Sequence, residues 1–227
     1  MKNKFLAMIS LFALVCSLLA GCAGGNSGGN QDDGTDCVIP TTAFQFSMWD
    51  HFAKVKVLEV AEEFYSRFSP NDGNLLVARC EVIEDWIGGL ESGRELYLVF
   101  SLSAKSDGWV TSEDFESIFA SRDYFYAAFT VTEFPNYYAK DGTMITEKYG
   151  EVDFSDTIGI FNLNALPMKD GRLDLEAVDS LYLELNKDAT EPISAIIYAE
   201  FDEYFRDGMT EEELKESVER IYGKEID

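Results

Sequence analysis

The sequence predicts a mainly β chain with added helices: an α+β arrangement of five strands curled into a barrel, a short helix between strands 3 and 4, and a helical hairpin at the C-terminal end. Three observations predict it. Apolar residues alternate with polar ones in short runs, so that Leu96, Leu98, Phe100 and Leu102 share one face, as do Phe125, Ala127, Phe129 and Val131. This is the period of two that marks half-buried strands. Asp-Gly recurs between the runs, at 72–73, 107–108, 141–142, 170–171 and 207–208. The dipeptide favours tight turns, because Gly accepts positive φ and Asp hydrogen-bonds its own backbone. Helix-capping signals are fewer and mostly late.

Residues 1–21 stand apart from the fold. Lys2 and Lys4 precede an uninterrupted apolar run from Phe5 to Ala20, which is short for a bilayer span and sits where a secretory signal carries its hydrophobic segment. The run ends in Leu19-Ala20-Gly21-Cys22, which closely resembles the lipobox of bacterial lipoproteins. That resemblance implies cleavage between Gly21 and Cys22, a diacylglyceryl group on the Cys22 thiol and an acylated (palmitate-type) amino terminus. Each buried methylene contributes about 0.8 kcal/mol, so two or three acyl chains anchor a protein without a spanning helix. Residues 22–43 then read as a tether. Ala23–Asp36 is dominated by Gly, Asn, Asp and Ser and cannot bury enough apolar surface to repay its ordering entropy. Its root-mean-square reach is about 20 Å, enough to hold a folded body clear of the headgroups.

The folded part is expected over 44–188. Its strands are Ala53–Ala61, Leu75–Trp86, Glu95–Ser103, Tyr124–Phe134 and Ile158–Leu166, each rich in β-branched and aromatic residues. Thr111 or Ser112 can cap a short helix through SEDFESIFAS. Leu173–Leu185 reads equally well as strand or helix. Residues 189–227 form the predicted helical hairpin. Thr190 caps its first helix, with Pro192 in the first turn and Ile193, Ile197, Phe201 and Tyr204 at helical spacing. Thr210 and Glu213 make a capping box for the second, whose apolar stripe is Leu214, Val218, Ile221 and Tyr222.

Five strands with a helix between the third and fourth is the element order of an OB-like barrel. The passages AKVKVLEVAEEF, LLVARCEVIEDWIGGLESGRELYLVF and DYFYAAFTV, with IFNLNALPMKDGRL and MTEEELKESVERIYG, resemble a family of uncharacterised OB-like β-barrel lipoproteins and secreted domains from Gram-positive bacteria. The resemblance spans roughly 50–222 and rests on scaffold patterns, so it implies a fold and an extracytoplasmic setting and carries no catalytic residues.

Composition narrows the function classes. The 227 residues carry 18 Lys and Arg against 42 Asp and Glu, a net charge of −24, which disfavours phosphate backbones and anionic lipid headgroups as partners. Nucleic acid is excluded on this ground. The single histidine removes multi-His zinc sites, and no G-x-S-x-G, H-E-x-x-H, C-x-x-C, Walker or G-x-G-x-x-G motif is present. The Asp-Gly turns do not fit an EF-hand: with Gly108 at the sixth loop position, the first and third would be Ser103 and Lys105. Loop carboxylates such as Asp153 and Asp156, or Glu200, Asp202 and Glu203, are the remaining calcium candidates, set against a simple solvated acidic surface. No catalytic residue, metal site or cofactor is expected.

Three features remain. Cys37 and Cys80 could pair outside the cytoplasm, closing a loop of about 43 residues; alternatively Cys80 is a small buried strand residue. His51, in MWDHF, reads as packed against Asp50 or as a thiolate partner of Cys80. Tyr124, Tyr126, Phe134, Tyr137 and Tyr138, with Trp86 and Trp109, could line a ligand-facing aromatic surface or simply pack a small barrel. The expectation is a lipid-anchored, extracytoplasmic, non-catalytic binding or interaction module whose membrane contact is the N-terminal lipid alone. Its ligand would be a glycan, peptide or protein. An accessory envelope enzyme working through carboxylates and a structural or assembly lipoprotein are the alternatives.

Overall fold

The computed structural model describes residues 42–66, 74–101, 110–132, 137–138, 142–150, 152–159, 164–188 and 201–226. The signal segment, Cys22, Cys37 and most of the tether lie outside these residues. The body opens with α1 (Thr42–Phe46), two residues inside the expected tether, and its Thr42 and Phe46 are buried. Three long strands follow: β1 (His51–Ser66), β2 (Asn74–Asp85) and β3 (Glu95–Ser101). Helix α2 (Ser112–Phe115) runs on as a π-helical turn, Glu116–Ala120. Next come β4 (Phe125–Phe129), β5 (Val131–Thr132), β6 (Tyr137–Tyr138), α3 (Ile145–Tyr149), β7 (Phe154–Gly159), β8 (Ala165–Lys169) and β9 (Arg172–Leu173). Helices α4 (Leu175–Leu185), α5 (Phe201–Tyr204) and α6 (Glu211–Tyr222) complete the described elements.

The expected five-stranded OB-like barrel is not what forms. Eight strands make one open mixed sheet in the order β5-β7-β3-β2-β1-β4-β8-β9, with β6 pairing the tip of β1. All neighbours are antiparallel except β3 and β7. The physical reason lies in Ile158–Leu166, expected as one strand. Its two ends belong to different strands, β7 and β8, and β8 occupies the edge of β4 from Phe125 to Ala127 that a closing strand would need. The expected fourth strand is likewise divided at Thr130: β4 pairs β1 and β8, whereas β5 pairs β7 at the far end of the order. The sheet therefore curls enough for one residue to carry the chain from one region of the order to its opposite end.

Alternation decides what each face buries. The first face collects Val55, Leu76, Ala78, Cys80, Val82, Leu96, Leu98, Phe100, Phe125, Ala127, Phe129 and Ile158, closed over by Phe115, Ile118 and Phe119 of α2 and its π turn. Four of these rings interlock, with Phe100 4.6 Å from Phe115 and Phe119 5.2 Å from Phe125 between centroids. Phe52, Tyr126, Ala128, Leu166 and Met168 face the other way and pack under Phe46, Phe201, Phe205, Leu214, Val218 and Ile221. A smaller cluster on Leu75, Val77, Val99 and Phe154 is covered by Ile145 of α3. Strand β4 is thus buried on both sides, with all five residues inside, whereas β1 exposes Lys56, Leu58 and Glu59 beyond Val55.

Local chemistry fixes the ends. Thr111 caps α2 in a full capping box with Asp114, and Arg122 closes its far end by donating to the carbonyls of Ser117 and Ile118 while pairing with Asp174. The Asp170-Gly171 turn joins β8 to β9 with both φ angles positive, 52° and 73°, as a two-residue hairpin loop requires. The ambiguous 173–185 segment divides at Asp174 into strand and helix. Of the expected C-terminal hairpin, residues 189–200 lie outside the described residues; α6 carries the Thr210–Glu213 capping box.

Two expected outcomes test this packing. Phe119→Ala, which opens the first-face core beneath the π turn, lowers unfolding free energy by about 3–5 kcal/mol in a denaturant titration. Thr210→Ala removes only the α6 cap and costs about 1 kcal/mol in the same measurement.

Candidate functional site

Two polar constellations interrupt the apolar packing. The first lies at the rim where β1 begins and β2 ends. Register places Ala53 opposite Asp85 and His51 opposite Phe129, so the side chains of His51 and Asp85 fall on the same end of the first face. His51 Nδ1 lies 2.7 Å from Asp85 Oδ2. The same carboxylate accepts the backbone N–H groups of Ile87 and Gly88 on Oδ1 and of Leu90 on Oδ2, which shapes the turn after β2. Burial works to raise the Asp85 carboxyl, but the hydrogen bond from His51 and those from Leu90, Gly88 and Ile87 outweigh it and hold the group below the usual carboxylate range. An ionised Asp85 can only accept, so Nδ1 carries a proton and donates it.

The imidazole is packed closely. Its ring stacks on Phe129 with centroids 5.4 Å apart. The backbone of Gly88 runs close to its Nδ1–Cε1 edge, where a Cβ would stand 1.9 Å from Nδ1 and 2.6 Å from the Asp50 carbonyl. Only glycine permits that approach. Further acids border the same rim. Asp156 donates its backbone N–H to the Thr130 carbonyl at 2.8 Å, and Asp50 N reaches Thr130 Oγ1 at 3.4 Å. Burial, and then the neighbouring Asp50, raise the Asp156 carboxyl above the ordinary aspartate value. Tyr222, at the end of α6, is raised by burial and by Asp85 and Asp50, and its buried hydroxyl has no partner among the described residues. Lys224, just beyond, donates to the Ile87 carbonyl at 2.8 Å.

The second constellation clasps α6 to the sheet. Glu211 Oε1 accepts from Lys54 Nζ at 2.8 Å and from the Tyr126 hydroxyl at 2.6 Å, while Oε2 accepts from Tyr124 at 3.1 Å. The Lys54 ammonium also sits 4.0 Å from the Tyr124 ring centre. Tyr126 is fully buried, so its hydroxyl needs this partner. Burial works to raise the Glu211 carboxyl, yet Lys54 and the two tyrosines together bring it below the usual glutamate range.

The residues singled out in the sequence fall as follows. Tyr126 packs in the second-face core beside Trp86 and Phe52, Tyr124 is half-buried with its hydroxyl on Glu211, and Tyr138 is half-buried in β6 beside Tyr137. Phe134 and Trp109 lie outside the described residues. Cys80 is a free thiol with no exposed surface, pushed up by burial, and its Sγ donates to the Ala78 carbonyl at 3.7 Å. Cys37 lies outside the described residues. His51 is paired with Asp85 instead of Asp50 or Cys80. Asp153 is taken by Arg94, and among the described residues no group of three or more His, Cys, Asp or Glu side chains is placed to hold a metal ion. Asp156 was named only as a calcium candidate with Asp153, and Asp85, Gly88, Lys54 and Glu211 carried no sequence signal beyond an Asp preceding a Gly-Gly turn.

Two measurements follow from this geometry. Gly88→Ala forces the turn off the imidazole, lowers stability by about 1–3 kcal/mol and shifts the single-histidine NMR signals. Because the Glu211 pKa is depressed in the fold, the clasp contributes fully above the ordinary glutamate value and is lost as pH falls through the lowered one. Glu211→Gln therefore reduces the loss of stability between about pH 6 and about pH 3, read by denaturant titration at each pH.

Comparison with known proteins yields no match at any of three levels: no family model, no curated protein and no solved structure matches the chain.

Proposed function

We propose that the chain is a lipid-anchored, extracytoplasmic lipoprotein whose folded body acts as a non-catalytic binding or interaction module. The observation that carries the reading is the N-terminal sequence: Lys2 and Lys4, the apolar run Phe5–Ala20, and Leu19-Ala20-Gly21-Cys22 ahead of a Gly-, Asn- and Asp-rich tether. Packing supports it, since the described body starts at Thr42 and builds its own core. Among the described residues no helix is long and apolar enough to cross a membrane, and acyl chains on Cys22 supply the anchor. The strong negative charge keeps the body soluble beside an anionic membrane and turns it away from nucleic acid. No nucleophile is hydrogen-bonded to His51 among the described residues, and the aromatic side chains of β4 are committed to packing or to Glu211.

A second reading, an accessory envelope enzyme working through carboxylates, is favoured by one observation. Asp85 and Asp156 border the same rim with pKa values displaced in opposite directions, the arrangement that separates an acid from a base.

Metabolic labelling with a clickable palmitate analogue in a lipoprotein-processing bacterium tests the anchor. The full chain takes up label and fractionates with membranes; Cys22→Ser loses both. Label retained in Cys22→Ser overturns the lipid assignment. Glycan and peptide arrays probed with the same preparation test the binding role, and turnover of an arrayed glycan, lost in Asp156→Asn, favours the enzyme instead.

A further inference from the structure

We draw no further inference here: the strongest candidate, the half-buried surface patch of Tyr97 and Tyr149 where α3 meets β3, has its flanking Arg79 and Arg94 already paired with carboxylates, and nothing in the structure shows what covers it.

Discussion

The demand that β4 be covered on both faces governs the rest of the architecture. Phe125, Ala127 and Phe129 point to one side and Tyr126 and Ala128 to the other, and none has appreciable exposure. A strand of this kind needs a layer on each side. The π turn after α2 supplies one, and α1, α5 and α6 supply the other. The same demand brings a tyrosine hydroxyl into the interior, and with it the need for Glu211 and Lys54. The helices of this chain are therefore lids whose positions the sheet dictates.

Local chemistry was readable in the sequence and long-range pairing was not. Period-two alternation identified the faces of β3 and β4, the Thr210–Glu213 box marked the start of α6, and Asp170-Gly171 marked a hairpin. Each is decided within a few residues. The barrel expectation failed over Ile158–Leu166, where composition looks uniformly strand-like and the division between β7 and β8 is set by which neighbour each half can reach. His51 illustrates the same limit. Its adjacent Asp50 was the obvious partner, whereas β1 and β2 pairing delivers Asp85 from 34 residues away. Lys54 and Glu211 are 157 residues apart and meet only because α6 packs over β1 and β4. The Asp85 turn left a faint trace, an acid followed by Gly88-Gly89, but nothing local says that a ring fills the space beside the first glycine.

The acidic composition is also unevenly compensated. Lys54, Arg79, Arg94, Arg122, Lys187 and Arg220 are engaged with carboxylates, several of them at exposed positions where such pairs are worth little. Cations thus hold elements together at the clasp and at the π turn, while at the rim Lys224 is engaged with the Ile87 carbonyl. A chain with so few bases has placed them for packing, which concentrates uncancelled charge where the sheet meets solvent.

The passage through Thr130 has a consequence for how the molecule comes apart. In an ordinary open sheet the outermost strands fray independently, and amide exchange is fastest at both margins. Here Thr130 alone separates the marginal strand β5 from β4, whose residues are all buried. Releasing β5 from β7 tugs directly on the core, and the core cannot loosen without pulling β5 away. The β5 margin and the interior strand β4 are coupled into one opening unit, so the short ladder between Val131–Thr132 and Phe154–Ser155 exchanges with the interior rather than with the periphery.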